Sequence, residues 1–118
     1  MSKQTPEGKV KAMIRKHLLA HGCKRVGVGE TEGDSFFWMP YQGPYSVKGV
    51  ADFILCYHGR FVAIEAKADT DQTEHQKDFE ALTKSAGGIY VVVRTEQDMV
   101  AFMECMEWTR KNLSLPKP

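Results

Sequence analysis

The sequence predicts an α/β domain with a mixed four-stranded sheet flanked by helices, in the order α-β-β-β-α-β-α. Apolar residues recur at helical spacing in three segments, and four short runs are rich in β-branched and aromatic residues. Glycine or proline lies between most of these segments. The chain has 118 residues, of which 42% are hydrophobic, and this size and composition fit a single domain over residues 1–118.

Composition excludes several classes of protein. No apolar run approaches the ~18 residues of a membrane-spanning helix, so we expect no membrane partner. The polar N-terminus lacks the apolar run of a secretory signal, and we expect an intracellular protein. Three widely spaced cysteines argue against a disulfide framework or a zinc ribbon: Cys23, Cys56 and Cys105.

The first helix is predicted over residues 6–21. Thr5 is a candidate N-cap, Pro6 suits the first helical position, and Gly22 is placed to end the helix in the left-handed conformation. The net charge is only +1, yet the segment from residue 9 to 25 has six basic side chains and no acidic one. This segment either contacts phosphates or is an ordinary solvated surface.

Three strands follow the first helix. Residues 34–41 are rich in aromatic side chains and predict a strand, after which glycines and prolines predict a loop. The runs 52–57 and 60–65 are joined by His58-Gly59, which indicates a β-hairpin. Because both faces of these two runs are apolar, we expect central strands that helices cover on each side.

The second half of the chain predicts a helix, a strand and a helix. Phe79, Leu82 and Ala86 mark one face of the second helix, whose capping box is either Asp71 with Glu74 or Thr73 with Gln76. Residues 89–93 predict a buried strand that lies parallel to the strand over 60–65, because a helix connects them. A third helix is predicted from Thr95 to about Leu113.

The hairpin register brings acidic residues together. A two-residue turn places Tyr57 opposite Arg60 and therefore Asp52 opposite Glu65. Opposed residues on one face have Cβ atoms ~4.5–5.5 Å apart, so the two carboxylates repel each other. Lys67 lies on the same face because it is two residues beyond Glu65.

Two interpretations of this trio remain open. It is either a salt-bridged cluster at the end of the sheet or a site for a divalent cation. A salt bridge to Lys67 compensates one acid and leaves the other uncompensated, at a cost of several kcal/mol or an added proton. Two carboxylates and the Ala66 carbonyl are ligands that suit a hard cation such as Mg²⁺.

These residues resemble a known family. Gly49-Val-Ala-Asp52, followed after about a dozen residues by Glu65-Ala-Lys67, resembles the D…ExK signature of the PD-(D/E)xK nuclease superfamily. Within it the chain most resembles the VRR-NUC domain, including stand-alone phage-like members. Glu7 lies where such nucleases have an acid in the first helix, and Gln76 is followed three residues later by an aromatic residue. Ala51 departs from the family pattern, in which proline often precedes the acid.

The resemblance implies a restriction-endonuclease-like core and a Mg²⁺- or Mn²⁺-dependent DNA endonuclease. Asp52, Glu65 and the Ala66 backbone carbonyl would bind the metal, and Glu7 would bind it through water or hold a second ion. Lys67 would position water and stabilise charge on the phosphate. Gln76 would join these catalytic residues by orienting a ligand or contacting a phosphate. Two of these roles have ordinary alternatives, because Glu7 also suits a helix N-terminus and Gln76 also suits a capping box.

The resemblance also implies a substrate and an assembly. Stand-alone relatives resemble homodimeric enzymes that act on branched DNA such as Holliday junctions during repair, recombination or replication, in the cytoplasm of a bacterium or of a phage-infected host. Loop aromatics stack on bases or pack against their own domain. The candidate DNA contacts are the loop and helix residues Tyr45, Ser46, Lys48, Lys9, Lys11 and Arg15.

The alternative function is a nucleic-acid-binding module that has a nuclease fold but does not cleave. The sequence contains no dinucleotide-binding glycine fingerprint, no GK[ST] phosphate loop and no GxSxG nucleophile motif. Metal-dependent cleavage would separate the enzyme from the binding module.

Overall fold

The computed structural model describes residues 4–115 and shows an α/β fold with a mixed five-stranded sheet. The strand order across the sheet is β1-β2-β3-β4-β5. Within the described range no helix has the length and apolar character needed to span a membrane. The elements are α1 Pro6–Ala20, β1 Lys24–Arg25, β2 Ser35–Trp38, β3 Phe53–Tyr57, β4 Arg60–Ala66, α2 Glu74–Ser85, β5 Ile89–Val93 and α3 Glu96–Asn112.

The predicted α/β class and the mixed sheet are confirmed, but the sheet has five strands where four were predicted. The additional strand, β1, consists of Lys24 and Arg25 and pairs in parallel with Phe36 and Phe37 of β2. Two exposed charged residues have no apolar alternation, so hydrophobic periodicity cannot reveal them. The observed order is therefore α-β-β-β-β-α-β-α.

The predicted boundaries of the first helix are confirmed to within a residue. The Thr5 side chain accepts a hydrogen bond from the N–H of Gly8, which satisfies one of the free donors at the start of α1. Gly22 has a φ of 81°, as expected for a glycine that ends a helix. The buried face of α1 consists of Val10, Ile14 and Leu18.

The hairpin between β3 and β4 also forms as predicted. His58 and Gly59 have φ values of 47° and 85°, and positive φ at both central positions is typical of a type I′ turn. Tyr57 lies opposite Arg60, and the same register continues to Phe53 opposite Ile64. β5 runs parallel to β4, as predicted from the helical connection.

Helices cover both faces of the central strands. On one face, Phe53, Leu55 and Ile64 pack against α1 and against the buried α3 methionines. On the other face, Ile54 and Ala63 pack with the partly buried Phe79 of α2. The odd-numbered residues of β4, including Glu65, also point to this second face.

The predicted apolar face of the second helix is right for Phe79, which packs on the sheet, and wrong for Leu82 and Ala86. Leu82 is 70% exposed and Ala86 is also exposed, whereas Thr83 is buried one turn beyond Phe79. The helix therefore presents Phe79 and Thr83 to the sheet. The buried Thr83 hydroxyl is satisfied within the helix, because it donates to the Phe79 carbonyl. Spacing alone cannot choose between residues three and four apart, because both lie on the same side of a helix.

Candidate functional site

Asp52 and Glu65 lie at the same end of the β3–β4 hairpin, as predicted. Phe53 is opposite Ile64, so one further step places Asp52 opposite Glu65. Both residues are buried, with exposed fractions of 7% and 2%. Two acidic side chains thus meet in a water-poor environment, where like charges are costly.

Asp52 is held from two directions. Its Oδ2 accepts a hydrogen bond from the backbone N–H of Ala66, at 2.7 Å. Its Oδ1 lies 3.3 Å from the Nζ of Lys11, which reaches it from α1. The first contact ties the side chain to β4 and the second supplies a partly compensating charge.

Glu65 accepts two hydrogen bonds from neutral donors. Gln76 Nε2 lies 3.1 Å from Oε1, and the Tyr90 hydroxyl donates to Oε2 at 3.2 Å. Gln72 Nε2 donates in turn to the Tyr90 oxygen, at 3.2 Å. These contacts fix the direction of the Glu65 carboxyl group without adding positive charge.

Gln76 forms one of the two predicted capping boxes and also contacts Glu65. The capping box of α2 is formed by Thr73 and Gln76: Thr73 N–H donates to Gln76 Oε1 at 2.9 Å, and Gln76 N–H donates to Thr73 Oγ1 at 3.2 Å. The amide nitrogen of the same side chain remains available and donates to Glu65. The start of α2 is therefore tied directly to the acidic pair.

Burial and the neighbouring acid make Glu65 a weaker acid than an ordinary glutamate. Its pKa is raised to about 8, first by burial and then by the hydrogen bond and negative charge of Asp52. The Tyr90 hydrogen bond and the Lys67 charge lower this pKa without reversing the shift. Burial and Glu65 also raise the pKa of Tyr90, which keeps its hydroxyl a proton donor.

Lys67 lies beside the two acids but pairs directly with neither. It is 6% exposed, and its backbone N–H donates to the Val93 carbonyl at 3.1 Å. Between residues 4 and 115, no carboxylate oxygen lies within 4.0 Å of its Nζ. Its ammonium group is therefore available to an anion that enters the site.

Comparison with known protein families gives no match, and neither does comparison with curated proteins. The assignment of this site rests on its geometry.

The donor set fits a divalent cation with an incomplete protein shell. In the described part of the chain, no three His, Cys, Asp or Glu side chains are grouped so that they could hold a metal ion. Asp52 and Glu65 are thus joined by no third acid, and the predicted role of Glu7 stays a prediction. In an extended strand the N–H and C=O of one residue point to the same neighbour, so the Ala66 carbonyl faces the side of Asp52. Mg²⁺ accepts such a set because it usually retains several waters.

The other predicted DNA contacts lie on α1 and in the loop before β3. Lys9 is exposed and Arg15 is half-buried on α1, whereas Lys11 lies at Asp52. In the loop before β3, Tyr45 is 98% exposed, which excludes packing of this ring against its own domain. Ser46 Oγ donates to the Gly43 carbonyl at 2.6 Å, and Lys48 is exposed.

A glycine brings this loop to the site. Gly49 has a φ of 84°, and a Cβ at this position would collide with the backbone of His75 in the first turn of α2. The loop and α2 therefore touch through their backbones at Gly49. Gly49 is two residues before the buried Ala51, and Asp52 follows Ala51 directly.

Sequence reasoning missed Tyr90, Gln72 and the contact of Lys11 with Asp52. Tyr90 belongs to an apolar run, and its hydroxyl was the one polar signal in it. Its position follows from the parallel pairing of Ala63 with Tyr90, which puts it on the Glu65 face. The length of the connecting helix does not reveal that register.

Proposed function

We propose that this protein is a Mg²⁺- or Mn²⁺-dependent endonuclease that hydrolyses phosphodiester bonds in DNA. The observation that carries the proposal is the opposition of two buried acids, Asp52 and Glu65, with the buried Lys67 two residues beyond Glu65 on the same face. Burying two like charges is unfavourable unless a cation or a proton compensates them. The raised pKa of Glu65 expresses that cost in the metal-free protein.

Each residue of the site has a task in this chemistry. Asp52, Glu65 and the Ala66 carbonyl would hold the cation, which when bound polarises the scissile phosphate and lowers the pKa of a bound water. Lys67 would stabilise negative charge on the phosphoryl oxygens and orient the attacking water. Gln76 and Tyr90 orient Glu65 by their hydrogen bonds.

The D…ExK pattern and the observed register together support a restriction-endonuclease-like core of the VRR-NUC type. This resemblance also leads us to propose branched DNA such as Holliday junctions as the substrate, a homodimer as the active form, and a role in DNA repair, recombination or replication. Glu7 is proposed as a ligand through water, and Lys9, Arg15, Tyr45 and Lys48 as contacts to DNA. A two-fold dimer matches the symmetry of a substrate in which two strands are cut.

The test is cleavage of labelled four-way junction, flap and duplex DNA in Mg²⁺, in Mn²⁺ and in chelator. We expect products only with metal, and none from Asp52→Ala or Lys67→Ala. Asp69→Ala and Lys77→Ala are matched controls, because both side chains are exposed outside the acidic pair, and they should retain activity. Circular dichroism of each variant checks its fold.

Undiminished cleavage by folded Asp52→Ala would overturn the proposed mechanism. Metal-independent, salt-sensitive DNA binding without products would instead support the non-cleaving binding module.

A further inference from the structure

The sheet has an aromatic surface that α2 leaves open. Phe36 and Trp38 of β2 are each 42% exposed, and Phe61 of β4 is 47% exposed. Their neighbours Ser35, Phe37 and Val62 are buried, so the exposed rings lie on the opposite face of the strands. We call Phe36, Trp38 and Phe61 the open aromatic face.

This face belongs to the same side of the sheet as the acidic pair. Trp38 lies opposite Ile54 of β3, and Asp52 is two residues before Ile54. Trp38 and Asp52 are therefore diagonal neighbours, for which Cβ atoms are typically ~7–8 Å apart and within reach of an aromatic side chain. On this side of the sheet, the open aromatic face therefore begins at the position next to the proposed metal ligand Asp52.

The remaining rings extend the surface away from the acids. Phe36 lies opposite Cys56, and Cys56 lies opposite Phe61, so the three form a row across β2, β3 and β4. Lys24 of β1 pairs with Phe36 and places an ammonium group at the border of this row, 3.8 Å from Glu30. Flat apolar rings suit the flat surfaces of bases, and the half-exposed Lys24 ammonium, which Glu30 contacts only at 3.8 Å, is placed to meet a phosphate at the border of the row.

We propose that the open aromatic face is a stacking platform for unpaired nucleobases next to the scissile phosphate. The proposal rests on the proposed nuclease function and deepens it by naming the substrate class: branched DNA whose branch point presents unpaired bases next to the cleaved phosphate. Base pairs in a duplex conceal their flat surfaces by stacking on each other. An unpaired base exposes its flat surface and stacks on aromatic side chains without regard to sequence.

The first experiment measures binding without cleavage. Trp38 and Trp108 are the two tryptophans of the chain, so a Trp108→Phe background makes Trp38 the only indole. Titration with a single-stranded oligothymidylate in chelator should quench the Trp38 fluorescence. A paired duplex of the same length should quench it much less. Absence of quenching by the single strand, or equal quenching by the duplex, would overturn the proposal.

The second experiment measures affinity by fluorescence anisotropy of a labelled oligothymidylate in chelator. Trp38→Ala should weaken binding about 5- to 100-fold, as expected when one base loses its stacking partner, and Trp38→Phe should retain most of the affinity. Trp108→Ala is the matched control, since Trp108 is 58% exposed on α3. An equal loss in Trp108→Ala, or none in Trp38→Ala, would overturn the proposal.

Two further readings separate this inference from its alternatives. Sedimentation of wild type and Trp38→Ala tests whether a second copy covers the face: dissociation of a dimer with unchanged oligothymidylate affinity would overturn the proposal. Oligothymidylate binding that depends on Trp38, without metal-dependent cleavage, would retain the platform and refute the nuclease. Cleavage unaffected by Trp38→Ala, without quenching, would retain the nuclease and refute the platform.

Discussion

Lys11 Nζ lies 3.3 Å from Asp52 Oδ1, although the two residues belong to different elements of the fold. The Asp52 side chain is 8% exposed and that of Lys11 is 32% exposed. The basic segment of α1 thus contributes one of its cations to the acidic pair. A cation that already compensates Asp52 has consequences for stability and for metal binding.

Removal of the Lys11 charge should destabilise the metal-free protein. We expect Lys11→Ala to lower the free energy of unfolding in chelator by about 1–3 kcal/mol, between the values for exposed and buried ion pairs. Lys9→Ala, an exposed lysine of the same helix, should cost less than about 0.5 kcal/mol. Urea denaturation measures both.

Lys11 should also compete with the metal for Asp52. The increase in melting temperature on addition of Mg²⁺ should therefore be larger for Lys11→Ala than for wild type, and an equal increase would contradict this competition.

Glu65 should make the stability of the metal-free protein fall as the pH rises. Its pKa is about 8 in the folded protein against an ordinary 4.5, so between these values the folded state holds a proton that the unfolded state has released. The free energy of unfolding then decreases with pH by up to about 1.4 kcal/mol per unit, the value for one proton, and levels off above pH 8. Glu65→Gln should remove this component. Parallel denaturant series at pH 5.5–8.5 compare the two proteins, and identical slopes would refute the assignment.

Tyr90 should influence metal binding through Glu65. Its hydrogen bond lowers the pKa of Glu65, so Tyr90→Phe should raise that pKa further and weaken Mn²⁺ binding at neutral pH about 10- to 100-fold. Isothermal titration calorimetry measures the affinity. Tyr57→Phe is the matched control, because its buried hydroxyl donates to Glu107 at the other end of β3. A similar loss of Mn²⁺ affinity in both variants would indicate a general effect on folding.

Gly49 should be more sensitive to substitution than other glycines with positive φ. Gly49→Ala combines the cost of the left-handed conformation, about 1–2 kcal/mol, with a collision against the His75 backbone. Gly87→Ala has a similar φ of 91° with no atom within 4 Å, so it should show the first cost alone. Thermal unfolding measures the difference, and cleavage should fall further in Gly49→Ala because the loop leads directly to Asp52. Equal destabilisation of Gly49→Ala and Gly87→Ala would mean that the loop shifts to avoid the collision, and it would contradict the prediction.

The local elements were largely predictable from the sequence because neighbouring residues decide them. The Thr5 cap, the positive φ of Gly22 and the His58-Gly59 turn each depend on a few adjacent side chains. β1 and the buried face of α2 were not predictable in this way. A two-residue charged strand forms through backbone pairing alone, and the rotation of α2 depends on the sheet surface beneath it.

In the candidate site, the meeting of Asp52 and Glu65 follows from local sequence alone. A two-residue turn sets the pairing, and alternation along the strands then puts both acids on one face. The groups that approach these acids depend instead on the packing of distant segments: Lys11 comes from α1, Tyr90 from β5 and Gln72 from the segment before α2. The same packing leaves Phe36 and Trp38 without a helix over them. Contacts between distant segments depend on how helices pack on the sheet, and that packing is a property of the whole domain.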